Sequence, residues 1–122
     1  MDRTLALLLI AGCSAGATHR GALEESDPVL RVDGSYYDAF EVEAGPGWTI
    51  RATLESEAFD AYLLLLDPEG ALLAEDDGGA GGHDARLDVT VPVGGRYRVV
   101  ATSFHGRTTG AYVLRLEARP GD

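Results

Sequence analysis

From residue 29 onward, large apolar side chains alternate with polar ones in short runs cut by turn residues, the sequence form of an all-β sandwich or barrel. The clearest run is residues 48–55. Trp48, Ile50, Ala52 and Leu54 share one face of an extended chain, and Thr49, Arg51, Thr53 and Glu55 share the other, as the two-residue period of a half-buried strand requires. Residues 36–43 place Phe40 and Val42 inward against Glu41 and Glu43. Residues 86–91 set Leu87, Val89 and Val91 against Arg86, Asp88 and Thr90. Residues 111–118 turn Tyr112, Leu114 and Leu116 inward, with Arg115 and Glu117 outward. Residues 97–103 form a further strand, between the turns at 92–95 and 106–110. The run Tyr62-Leu63-Leu64-Leu65-Leu66 lacks polar alternates, so both of its faces are expected to be covered. Asp67-Pro68-Glu69-Gly70 ends it with Pro second and Gly fourth, the chemistry of a β-turn, and residues 71–74 return as another strand.

This gives seven strands, with Val29 to Val32 as a candidate eighth, and so an antiparallel β-sandwich of jelly-roll type. No stretch holds helical spacing for three turns; any helix is at most a short piece at residues 56–59. The inward-facing set supplies a core without a disulfide or a metal, at about 1.5–3 kcal/mol per large buried side chain.

The two ends change the picture. Arg3, the apolar run from Leu5 to Ile10, and small residues ahead of Cys13 read as a secretory signal over residues 1–12, too short for a bilayer span of about 20 residues. Ile10-Ala11-Gly12-Cys13 resembles the lipobox of bacterial lipoproteins. That resemblance implies lipidation of Cys13, a membrane anchor and, with Ser14 next, an outer-membrane or cell-surface destination, the domain standing in the periplasm or outside the cell. Residues 13–27 are small and polar, without a period, and are expected to form a flexible tether with His19 solvated; the sandwich then occupies residues 28–119. A lone cysteine excludes an internal disulfide.

The 122 residues carry 20 Asp and Glu against 10 basic residues, a formal net charge of −10. That balance repels nucleic acid and anionic membrane surfaces and favours solubility or cation binding. The best chemical cluster is Glu75, Asp76, Asp77 and Asp84, with Asp60 nearby, around a glycine-rich segment; calcium, which takes six to eight hard oxygens, is the candidate ligand, although acids beside glycines are also ordinary turn residues. The segment misses the repeated Gly-Gly-x-Gly-x-Asp calcium motif, with His83 in the aspartate position. His83 and His105 lack the ligand partners zinc needs and read as surface histidines. No Gly-x-Ser-x-Gly turn is present, and Ser103 beside His105 is more simply chance. Tyr36, Tyr37, Phe104 and Arg107 read as core or sheet packing in preference to an exposed binding patch.

In order along the chain, Asp38-Ala39-Phe40-Glu41-Val42-Glu43-Ala44-Gly45, residues 59–70 from Phe59-Asp60 to Glu69-Gly70, Glu75-Asp76-Asp77, Asp84-Ala85-Arg86-Leu87, Gly95-Arg96-Tyr97-Arg98-Val99-Val100-Ala101 and Thr109-Gly110-Ala111-Tyr112-Val113-Leu114 resemble the bacterial pre-peptidase C-terminal domain. The resemblance spans residues 34–117. It implies a jelly-roll accessory domain without catalysis, in some members calcium-binding, with an envelope or extracellular protein or a polysaccharide as partner; a monomer is expected. Two alternatives stand beside it: an envelope hydrolase, and a plain spacer domain without a ligand.

Overall fold

The computed structural model describes residues 5–8, 15–29, 36–77, 84–103 and 108–120. Among them there is no helix. Nine strands form: β1 (Leu5–Leu8), β2 (Ala15–Leu23), β3 (Tyr37–Ala44), β4 (Thr49–Glu55), β5 (Ala61–Leu66), β6 (Leu72–Asp76), β7 (Ala85–Thr90), β8 (Gly95–Ser103) and β9 (Gly110–Arg119). One sheet runs β1-β3-β8-β5-β6 and the other β2-β9-β4-β7. Strand β1 joins β3 in parallel; the eight strands β2 to β9 pair antiparallel throughout.

The winding of these eight follows from four pairings: β2 with β9, β3 with β8, β4 with β7, and β5 with β6. A single long hairpin, folded over on itself so that alternate pairs fall into opposite sheets, produces this arrangement, which is the jelly roll. The core lies between the sheets. Val42, Ile50, Leu54, Leu63, Leu65, Val99, Leu114 and Leu116 are each at most 1% exposed. The strands expected at residues 48–55 and 111–118 are present with the expected faces, because each packs one side on the core and shows the other to water. Arg51, Arg115 and Glu117 stand outside, where Arg51 meets Asp88 at 3.0 Å and Arg115 meets Glu55 at 2.5 Å.

Several expectations are corrected. Most of the segment expected as a tether is β2, which pairs with β9 along its whole length, from Ala15 opposite Ala118 to Leu23 opposite Gly110. At position 21 only glycine fits without displacing a neighbour: a Cβ there would sit 2.9 Å from the Tyr112 hydroxyl. His19 is therefore not solvated. It is half-buried, its ring 4.8 Å from that of Phe40. The eighth strand is thus β2. Val29 makes only an isolated bridge with Tyr36, and residues 30–32 lie outside the described set. Strand β6 runs two residues later than expected at its C-terminal end, to Asp76, with a register irregularity at Leu65/Leu66. The run at residues 62–66 is fully covered on one side only: Ala61, Leu63 and Leu65 are at 0%, while Tyr62, Leu64 and Leu66 are half-exposed on the outer side of the sheet. Residues 56–59 are bends, not a helix. The turn at residues 67–70 is as expected: Gly70 takes φ of 90° and donates to the Asp67 carbonyl at 2.9 Å, a backbone that glycine enters without steric cost.

Candidate functional site

The winding sorts the connections between two ends. Ala15, Ile50 and Ala118 share one row of the β2-β9-β4-β7 sheet, near the turns at residues 45–48 and 91–94. At the opposite end lie Leu23, Gly110, Glu55 and Ala85, with the described residues 24–29, 56–60, 77, 84 and 108–109 beside them. The site is built at this second end.

Ser56 is its hub. The residue follows the last position of β4 and is 9% exposed. Its hydroxyl donates to the Ala111 carbonyl at 2.8 Å and accepts from the Ala58 N–H at 3.0 Å. Its own N–H donates to the Asp84 carboxylate at 3.4 Å. One small side chain thus fastens the β4–β5 connection to the start of β9, and its N–H reaches the residue before β7. Gly110 is required beneath: its φ is 142°, and a Cβ there would lie 2.3 Å from that of Ala58. Behind this, the Phe59 and Tyr112 rings meet edge to face at 6.5 Å. The Tyr112 hydroxyl donates to the Asp38 carboxylate at 2.5 Å in a buried contact that joins the two sheets.

Over this frame lies an open groove of about 600 Å³, lined by Glu55, Ser56, Glu57, Asp84, Ala111 and Tyr112 among others. Its charged lining is acidic. Glu55 is engaged with Arg115, and Glu57 is exposed at the rim. Such a groove suits a cationic group approaching from solvent. A smaller depression of about 310 Å³ lies against the 67–70 turn, where Arg96 and Arg98 are paired with Glu41 and Glu43. Nearby, the Tyr97 hydroxyl donates to the Val93 carbonyl; burial pushes its pKa up and the Asp67 charge adds to the shift, against a lowering by that hydrogen bond.

The acids singled out from the sequence hold separate posts. Asp76 and Glu75 lie on β6 opposite Leu63 and Leu64, and the pleat sends them to opposite faces. Asp76 accepts from the Arg86 N–H at 2.8 Å, linking the two sheets at their edge, and Glu75 accepts from the Tyr62 hydroxyl. Asp84 serves Ser56. Asp77 is exposed, and Asp60 is half-buried immediately before β5. Among the described residues, no three His, Cys, Asp or Glu side chains come together in a group that could hold a metal ion. His83, His105, Phe104, Arg107, Cys13 and the glycines at 78, 79, 81 and 82 lie outside the described residues. Ser103 is at 0% exposure and Tyr36 at 8%, both within the fold.

Sequence reasoning missed Ser56, Glu57 and the Asp38–Tyr112 pair. A serine directly after an alternating strand, in Leu54-Glu55-Ser56, was the available signal, since Ser hydroxyls fasten chain reversals to nearby backbone.

No protein-family model matches the chain, and no curated protein matches its sequence. Solved structures do match. The periplasmic inhibitor of g-type lysozyme from Aeromonas hydrophila, PliG, aligns with a TM-score of 0.62 at 12% identity over 95% of this chain and 98% of that one. The pre-peptidase C-terminal domain of Bacillus anthracis collagenase aligns with a TM-score of 0.61 at 12% identity, covering 98% of each. The Salmonella Typhimurium PliG aligns with a TM-score of 0.54 at 15% identity, over 93% of this chain and 98% of that one. The chain is an all-β sandwich with the fold of a pre-peptidase C-terminal domain, a fold it shares with the PliG inhibitors.

Proposed function

We propose that the protein is an exported, lipid-anchored, non-catalytic module whose acidic groove holds a basic protein partner. The observation that carries this reading is the groove itself, open to solvent, lined by Glu55, Glu57 and Asp84, and fixed by the Ser56 contacts to a rigid jelly roll. A chain with formal net charge −10 draws basic partners by long-range attraction and orients them on approach. Two fold neighbours are described as periplasmic lysozyme inhibitors and one as a domain of a collagenase. They support a protein partner and an envelope location over a neutral polysaccharide.

Export would proceed through residues 1–12, with lipidation of Cys13. Processing there would remove Leu5–Leu8, and the eight strands that remain complete the jelly-roll pairing by themselves. Asp76 and Asp84 act in this reading as acceptors for backbone N–H groups, so the rim holds its shape without calcium. Against the hydrolase alternative, the Ser56 hydroxyl is spent on two backbone partners.

The test uses the soluble domain with Cys13→Ala and a set of basic envelope proteins headed by g-type lysozyme. Binding is expected to weaken as salt screens the charges. Glu57→Arg, on an exposed side chain, is expected to lower affinity about tenfold, or ~1.4 kcal/mol. Binding indifferent to both salt and Glu57→Arg, or turnover of a peptide, ester or glycan substrate, would overturn the reading.

A further inference from the structure

Strand β2 connects the proposed lipid to one chosen end of the sandwich. Ala15 opens β2 beside Ala118, and Leu23 closes it beside Gly110 at the groove end. A strand of nine residues spans roughly 30 Å, so the groove and Ala15 lie at opposite ends of the molecule. Cys13 precedes Ala15 by two residues, and two residues of fully extended chain reach at most about 7 Å. A lipid on Cys13 therefore has no slack and must hold the bilayer close to the turns around Ala15.

Those turns have the surface a bilayer would meet. Gly45-Pro46-Gly47-Trp48 and Val91-Pro92-Val93-Gly94 carry no charged side chain. They are locked together by the Gly47 N–H donating to the Val91 carbonyl and the Val91 N–H donating to the Trp48 carbonyl, both at 2.8 Å. Pro46 packs on Gly94, where a Cβ would lie 3.1 Å from its ring. Val93 is 56% exposed, Pro46 and Pro92 are exposed, and Trp48 is half-buried, its ring against Gly45. Tryptophan is favoured at the water boundary of a bilayer, where its ring is buried and its N–H stays wet. The acidic turn at residues 67–70 belongs to the other sheet and packs beside this surface, Pro68 lying against Gly95.

We infer that the paired turns at residues 45–48 and 91–94 form a membrane-contact surface. The anchored protein stands on the bilayer by this end, with Trp48 and Val93 at the headgroup boundary and the groove facing away. This rests on lipidation at Cys13.

The full-length protein, processed in a bacterial host and reconstituted into phosphatidylcholine vesicles, tests it. Trp48 is the only tryptophan, so bromine atoms on the acyl chains report its depth directly. Its fluorescence is expected to fall in brominated vesicles relative to ordinary ones. The quenching should disappear when about twelve Gly and Ser residues, roughly 20 Å of added reach, are inserted between Ser14 and Ala15. In separate variants, Val93→Cys is expected to react with a membrane-impermeant maleimide several-fold more slowly than Glu57→Cys when anchored. The two should differ far less in the soluble Cys13→Ala background. A mass spectrum without lipid on Cys13 removes the anchor on which the inference rests. Lipid present, with Trp48 unquenched and the two thiols equally reactive, overturns the orientation itself.

Discussion

Replacing Leu23 by Ala separates a strand from a tether more sharply than any change to the central core. Leu23 is the last residue of β2, lies opposite Gly110 and is 1% exposed. In a solvated linker the substitution would move stability by less than about 0.5 kcal/mol, as surface changes do. In the structure it deletes a buried side chain. Leucine-to-alanine changes in cores cost about 2–5 kcal/mol, the lower values where neighbours collapse into the space. Leu23 sits near the end of an edge strand, where collapse is easy, so a loss of about 2–3 kcal/mol is expected. At about 4–8 °C per kcal/mol for a domain of this size, the melting temperature should fall by roughly 10–20 °C. The assay is urea unfolding of the Cys13→Ala domain, followed by Trp48 fluorescence and by circular dichroism, with the slope m unchanged because the same surface is exposed on unfolding. Thr18→Ala, on the exposed side of the same strand, serves as the control and should stay within about 0.5 kcal/mol of the parent. A Leu23→Ala loss no larger than that of Thr18→Ala would refute the docking of β2, and with it the argument that the anchor lacks slack.

Four further outcomes are expected. Gly110→Ala forces a side chain onto a φ of 142° and against Ala58, and should cost more than about 1 kcal/mol in the same denaturation assay. Tyr112→Phe removes a hydrogen-bond donor from the buried Asp38 carboxylate and should cost about 1–3 kcal/mol by urea titration, with the circular dichroism spectrum unchanged. Burial holds the pKa of His19 below its ordinary 6.5. The unfolded chain therefore takes up the proton first as pH falls, so the contribution of this residue is complete above about pH 6.5 and declines below it; His19→Leu should flatten the stability profile between neutral and mildly acidic pH. Finally, melting temperatures in chelator and in about 10 mM calcium, above the weak range of extracellular modules, should agree; a rise with calcium would reassign Asp76 and Asp84 as ligands.

The strands legible in the sequence are those that bury one face and wet the other. Strands β4 and β9 show it plainly, because Ile50, Ala52 and Leu54 alternate with Arg51 and Thr53, and Leu114 and Leu116 with Arg115 and Glu117. Strand β2 escapes notice for a physical reason. Its space beside Tyr112 is so narrow that Gly21 is needed, and Leu23 is the strand's one large aliphatic side chain, with His19 its other inward-facing ring, too few apolar residues for a two-residue period to register. The site was less legible still. Ser56 meets residues 28 and 55 positions away, and Asp38 meets one 74 positions away, distances no local pattern reports. Adjacency in sequence also misled: Glu75 and Asp76 are neighbours in the chain, yet the pleat turns one toward Tyr62 and the other toward Arg86.

The winding itself explains why the groove and the start of β2 fall at opposite ends. Because successive strands run antiparallel, every second connection returns to the same end. The connections at residues 45–48, 67–71 and 91–94 are brief, and they hold one another through Pro46 on Gly94, Pro68 on Gly95 and the paired bonds of Gly47 and Val91. An end so stapled changes little without disturbing the sheets beneath it. At the opposite end the described connection is residues 56–60, fastened by Ser56 to the start of β9, and its exposed Glu57 and Ala58 can change in sequence while β4 and β9 hold their places, as binding loops on rigid scaffolds commonly do. The division can be tested by exchange. Replacing residues 57–58 by Arg-Ser should alter partner binding and leave the urea midpoint nearly unchanged, whereas Gly95→Val, which drives a side chain into Pro68 at 2.6 Å, should lower that midpoint and, at concentrations of urea where both proteins remain folded, leave affinity for the partner unaltered. If instead Gly95→Val weakens binding in the folded protein, the two ends are coupled through the sheets and the groove cannot be treated as a separate site.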